Sequence, residues 1–233
     1  MSTEVLQDLR DFLSQAAKDE SVRVVVLTGA GDTAFSAGAD LAGMETGAGV
    51  MAAHEARGLL SATFRDLWQL GKPSIARIRG YALAGGFGLA LACDFVIAAE
   101  DAQFGTPEID VGLWPYMITV PLLRSMPMRI ALELMMTGRR VSSEEALRIG
   151  FVNRVVPIEE LDEAVETLTA ILSEKSPLTM ELGRRSFYRA SQLNAEDALE
   201  YLQAMLTVTT LTEDTAEGLA AFREKRAPRW SGR

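Results

Sequence analysis

Residues 72–115, KPSIARIRGYALAGGFGLALACDFVIAAEDAQFGTPEIDVGLWP, constrain this chain more than any other stretch. They read as an extended run broken at Gly80, a double glycine at Gly85 and Gly86, helix over 89–93 and strand again over 94–99. Glycines at 85 and 86 let the backbone approach a ligand closely. The helix behind them would aim unpaired N–H groups and the positive end of its dipole at that ligand. Near the end of the stretch Glu108 stands between Pro107 and Ile109, with Leu113 and Trp114 close behind. Desolvation in such company should raise the carboxyl pKa, which suits an acid or base working near neutral pH. The plainer alternative is a helix cap and a glutamate ion-paired at the surface, since structural pairs also occupy such positions.

The chain has 233 residues, 48% of them hydrophobic, enough for one sizeable core with a small appendage. With 23 basic and 32 acidic side chains its formal charge is −9, which disfavours non-specific nucleic-acid binding. Arg223, Lys225, Arg226, Arg229 and Arg233 nevertheless crowd the C-terminus, as a solvated tail or as a contact for a phosphorylated ligand. A single cysteine, Cys93, rules out an intrachain disulfide and a thiolate metal site. The one histidine, His54, lies in a glycine-rich segment and is given no role. There is no apolar run near membrane-spanning length and no charged-then-apolar leader, so a soluble cytoplasmic protein is the expectation.

Val5, Leu6, Leu9, Phe12 and Leu13 recur at helical spacing behind Ser2 or Thr3 as a cap, predicting a helix over 3–17. Residues 22–28 read as a buried parallel strand. The GAGDTA that follows at 29–34 fits the loose dinucleotide fingerprint, but no helix signal opens there and no acidic strand end lies 20 positions on, which argues against NAD. Gly38 permits a tight reversal that leaves the Ala39 N–H open, and Asp40 can cap a short helix from Leu41. Glycines at 43, 47, 49 and 58 suggest a mobile flap, with helical periodicity resuming from Gly58 to Leu70. Further on, Pro115 can start a helix that Pro121 would kink. Helices are predicted over 131–137 and 142–150, a strand over 151–157, and helices over 158–174, 177–190, 195–211 and 212–226. The shift in composition after 157 divides an α/β core, 1–157, from a helical region, 158–233.

FSAGADL at 35–41, the run at 72–94, QFGTPEIDVGLWP at 103–115, MTGRRVSSEEALRIGFVNRVVP at 136–157 and EGLAAFREKRAPRW at 217–230 together resemble the enoyl-CoA hydratase/isomerase (crotonase) family. The resemblance implies an α/β core of ββα turns wound into a spiral and a C-terminal helical region that mediates trimer contacts, often in a hexamer of two trimers. It implies acyl-CoA thioester substrates, with coenzyme A as part of the substrate and no separate cofactor or metal. The main-chain N–H groups of Ala39 and Gly85 would hold the thioester oxygen, and Glu108 would move protons. Ala37, Asp40, Leu41, Gly86, Gly88, Trp114 and Tyr116 map onto substrate contacts. Phe222 and Lys225 match a motif that in relatives approaches the CoA nucleotide, often from a neighbouring subunit.

The sequence departs from the family at three places. Gly88 stands where hydratases of the family carry a first catalytic glutamate. WPYMIT replaces a glycine-rich turn, putting Tyr116 where a small residue would help hold water. The resemblance also implies a β-hairpin ahead of the first helix, whereas this sequence begins at that helix: either the start of the gene is placed too late, or a sheet edge is left uncovered, a condition that invites aggregation. One carboxylate suffices to move a double bond between the 3- and 2-positions, while some members with glycine at the first position are described as hydratases, so both reactions stay open. A CoA-thioester-binding or scaffold protein without turnover is the alternative of a different class. A hydrolase fits less well, because Ser36 lacks a GxSxG setting.

Overall fold

The computed structural model describes residues 1–39 and 49–233. Helix α1 (Thr3–Lys18) opens where the Ser2 hydroxyl accepts a hydrogen bond from the Val5 N–H, and it buries Leu6 and Leu13. A spiral follows, each turn giving one strand to a first sheet, one to a second, and then a helix. The first turn is β1 (Val25–Thr28), β2 (Ala34–Ser36) and α2 (Val50–Gln69). The second is β3 (Ser74–Ile78), β4 (Tyr81–Leu83) and α3 (Gly85–Ala92). The third is β5 (Phe95–Ala99), β6 (Gln103–Gly105), a 3-10 turn at Pro107–Val111, α4 (Thr119–Ser125) and α5 (Met128–Thr137). β7 (Arg140–Ser142), α6 (Ser143–Ile149) and β8 (Arg154–Val156) complete both sheets.

Among the described residues the first sheet runs β1-β3-β5-β8, all parallel, and the second runs β2-β4-β6-β7 with only β7 antiparallel. Phe87, Phe104 and Phe151 meet in the core with ring centroids 5.2 to 5.5 Å apart. From Ile158 on the chain is helical: α7 (Leu161–Ser173), α8 (Pro177–Ala190), α9 (Ala195–Thr210) and α10 (Glu213–Glu224). Leu161, Ala164 and Val165 of α7 seal the outer face of the first sheet against Ile75 and Ile97. α8 is fastened by one buried polar junction. Arg184 donates to Asp94 (Nε to Oδ2, 2.8 Å) and to the carbonyls of Leu67 and Trp68, while the Tyr188 hydroxyl donates to the other Asp94 oxygen at 2.7 Å.

Several sequence expectations are corrected. β1 is shorter than residues 22–28 and is not buried: among the described residues it lies at the end of its sheet beside β3 alone, and its residues alternate between half-buried and exposed. The GAGDTA loop, by contrast, leads into strand β2, in keeping with the lack of a helix signal there. α2 starts at Val50, eight residues before Gly58. Ala52, Ala53 and Ala56 favour helix strongly enough to carry Gly58, whose cost is about 1 kcal/mol. Of the glycine-rich 43–58, residues 43–48 lie outside the described residues and the rest is largely α2. Pro121 makes no kink, because it falls in the first turn of α4, where its missing N–H would have had no partner.

Candidate active site

Three neighbouring parallel strands, β2, β4 and β6, end on the same side of the second sheet, and each runs into a turn that the sequence marks as functional. β2 leads into Ala37–Gly38–Ala39, β4 into Ala84–Gly85–Gly86, and β6 into Thr106–Pro107–Glu108. The open ends of parallel strands are where α/β sheets place ligands, because loops and helix N-termini converge there.

The first two turns touch. Gly38 has φ +99° and is buried, and a Cβ on it would lie 2.6 Å from the Ala84 Cβ. Its own N–H is held by the Ser36 hydroxyl at 3.2 Å, which leaves the next amide, that of Ala39, without an acceptor among the described residues. Ala39 itself is exposed. On the other side Ala84 takes φ +51°, ψ −130°, a strained conformation for a residue with a side chain. The Ala84 N–H is anchored to the Gly105 carbonyl at 2.9 Å, tying the β4 turn to the end of β6. This twist turns the chain into α3 and leaves the Gly85 N–H, first of the helix, without an acceptor among the described residues. Two unsatisfied donors at a glycine turn and a helix N-terminus make a site for a partly negative oxygen.

Glu108 sits in the third turn, half-buried, and its Oε2 is shielded from solvent with no hydrogen-bond partner among the described residues. Burial pushes its pKa above the ordinary carboxylate value, and its own backbone N–H opposes that only in part. A desolvated carboxyl of this kind can take a proton from carbon and return it near neutral pH.

The remaining candidate residues divide by place. Gly86 lets α3 pack against Ser36, with a hypothetical Cβ 2.6 Å from the Ser36 carbonyl. Gly88 is buried one turn further on, where a Cβ would meet Ile118 at 2.5 Å and Phe64 at 2.8 Å. The space beside it is therefore filled by apolar side chains. Trp114 is half-buried against the core, whereas Tyr116 is 77% exposed. Asp40 and Leu41 lie outside the described residues. Phe222 and Lys225 are at the end of α10, which packs on α8 and α9, and Phe222 is 84% exposed. Sequence reasoning missed three neighbours of these turns. Leu60 and Met1 reach within 3.1 and 3.2 Å of the Cβ position of Gly85, and Thr106 is completely buried just before Glu108. The helical periodicity of α2 marked Leu60 as apolar, but no local signal tells which turn it covers.

The ends of these parallel strands carry the three turns on one side of the second sheet, the place where folds of this kind hold ligands. The chain belongs to the enoyl-CoA hydratase/isomerase family, which it matches over residues 1–233. It is 39% identical over 222 residues to a carnitinyl-CoA dehydratase of Salmonella typhi, covering 92% of this chain and 84% of that protein. Its fold superposes on the crystal structure of an enoyl-CoA hydratase from Bacillus anthracis with a TM-score of 0.94 at 36% identity, covering 100% of this chain and 90% of that one. The enoyl-CoA hydratase of Mycobacterium smegmatis gives a TM-score of 0.92 at 33% identity, over 97% and 87% of the two chains. The crotonase-like spiral expected from the motifs is thus the fold, and an enzyme of this family's type acting on CoA thioesters is the activity class. Among the described residues no helix is long and apolar enough to cross a membrane, and no cluster of side chains could hold a metal.

Proposed function

We propose that the protein moves a proton at C2 of an acyl-CoA through an enolate, with Glu108 as its one acid–base group and the Ala39 and Gly85 N–H groups holding the thioester oxygen. The observation that carries this reading is the shielded Oε2 of Glu108, in the turn after β6, which has no hydrogen-bond partner among the described residues. The Glu108 carboxylate takes the C2 proton, and the electron pair left behind moves onto the thioester oxygen. The resulting acid then returns the proton to C4, shifting a double bond from the 3- to the 2-position. With a 3-hydroxyacyl substrate it goes instead to the departing hydroxyl, releasing water and leaving a 2-enoyl thioester. A relative named carnitinyl-CoA dehydratase favours the second outcome. The apolar packing of Ile118 and Phe64 at Gly88 favours a single carboxylate in either. Each amide donor is worth about 100- to 1,000-fold in turnover, and the acid–base group about 100- to 10,000-fold.

Glu108→Gln tests the reading. It should bind thioester as the wild type does and lose exchange of the C2 proton with deuterated solvent; exchange that survives would end Glu108's role. A mass shift of one water on 2-enoyl-, 3-enoyl- or 3-hydroxyacyl-CoA would then separate hydration chemistry from isomerisation. If no thioester exchanges or reacts but all bind, the protein is a thioester-binding member of the same fold. Exposed Leu199, Leu206, Leu211 and Phe222 on the C-terminal helices support a homotrimer or a hexamer, in which Phe222 and Lys225 would serve a neighbour's CoA. A monomer mass by light scattering would remove that part.

A further inference from the structure

We propose that Thr106 is a positioning residue for Glu108, fixing the turn that carries it to the end of α5; the inference rests on Glu108 being the acid–base group. Thr106 is polar yet fully buried, at the junction of β6 and the 3-10 turn. Its hydroxyl donates to the Leu134 carbonyl at 2.8 Å, in the last turns of α5. The same carbonyl accepts the Gly138 N–H at 3.0 Å, so one oxygen secures both the α5 terminus and the approach to Glu108. Gly138 has φ +65°, and a Cβ on it would press on Ile109 at 3.0 Å and on the Asp110 carboxylate at 3.1 Å. The chain then returns as β7, antiparallel to β6, with Gly105 opposite Arg140.

The acid-bearing segment is therefore splinted along its length by residues 134–142. At its far end the Glu108 carbonyl accepts the Leu113 N–H at 3.0 Å. Of the charged groups near the turn, Glu133 and Glu145 both pair with Arg139 and Arg140 stacks over Tyr81 at 4.9 Å, while Asp110 is exposed beside Gly138. The carboxyl's acidity is then governed by how well the splint keeps water away, and Thr106 is its buried hydrogen bond.

Thr106→Val keeps the shape and deletes the donor, and Thr106→Ser restores it. C2-proton exchange should fall about 10- to 100-fold in kcat at unchanged KM in the valine variant, the scale of a displacement near one ångström. The ascending limb of its pH–rate profile, which reports Glu108 acting as a base, should move to lower pH as the carboxyl gains water, and serine should restore both. Valine with wild-type kcat and an unmoved limb overturns the proposal. So does a loss of kcat with the limb unmoved, which marks a merely structural role. If the valine variant does not fold, Gly138→Ala loosens the same splint from the other side and must move the limb in the same direction. Exchange persisting in Glu108→Gln instead removes the underlying acid–base reading, whatever Thr106 does.

Discussion

Gly86→Ala adds one methyl at the contact between the two amide-bearing turns. Its Cβ would lie 2.5 Å from the Ser36 Cβ and 2.6 Å from the Ser36 carbonyl oxygen, where ordinary contact begins at 3.4 Å. Since 3.4 − 2.6 = 0.8 Å, and the opposing atom is backbone, the turns must separate by nearly that much. Ser36 leads directly into Ala37–Gly38–Ala39, so the movement carries the Ala39 N–H away from the Gly85 N–H. A displacement near one ångström costs about 100-fold in rate, at the lower end of what losing one oxyanion donor costs. Overpacking costs about 1–3 kcal/mol, and alanine's helix preference over glycine returns about 0.5–1 kcal/mol. The net loss, about 0–2.5 kcal/mol, lowers the melting temperature by no more than about 10 °C. The assay is deuterium uptake at C2 of an acyl-CoA, read by mass, alongside a thermal melt. Gly58→Ala is the control, since a Cβ there meets nothing within 4 Å and exchange should be unchanged. A folded Gly86→Ala protein that exchanges as fast as the wild type would refute the placement of the oxyanion site.

Two further outcomes follow from the buried charges. Glu108 has its folded-state pKa raised by burial, so it binds a proton more tightly when folded. Its contribution favours folding in acid and is lost as pH rises through the folded pKa. Glu108→Gln should therefore melt above the wild type at neutral pH, with the gap closing in acid; the reverse order would contradict a desolvated carboxyl. Arg184→Met removes the charged partner of Asp94 and leaves it, among the described residues, only the hydrogen bonds from Ser74 and Tyr188; the side chains of the pair are only 6% and 15% exposed. Breaking one partner of such a pair costs about 3–5 kcal/mol, or about 6–20 °C in a chain of this size, and a melt within 2 °C of wild type, by the same scale, would show the junction to be dispensable.

Much of this was legible in the sequence because local chemistry and tertiary packing agree. Ser2, Ser142, Asn194 and Thr212 each cap the helix that follows them, so the helix starts could be read from residue types. The glycine pairs likewise announced turns in which backbone must come close. What could not be read depends on partners distant in the chain. β1 looks like an interior strand by composition and becomes an edge strand only because of where β3 and β5 lie. Gly58 reads as a breaker until the alanines before it form a helix with room around it. Ala84 carries the strained φ without any sequence mark, in a turn whose amide is fastened to the Gly105 carbonyl 21 residues on. The Glu108 motif was visible, but Thr106 was not, since its partner Leu134 is 28 residues away.

The central claim, that two main-chain amides polarise one thioester oxygen, is tested most directly by isotope-edited infrared spectroscopy of carbonyl-labelled butyryl-CoA bound to the protein. The account expects the bound carbonyl stretch at lower frequency than the same thioester shows in water, in the wild type and in Glu108→Gln alike, with most of the shift gone in Gly86→Ala. A bound thioester whose stretch is unshifted, or moved to higher frequency, would contradict it.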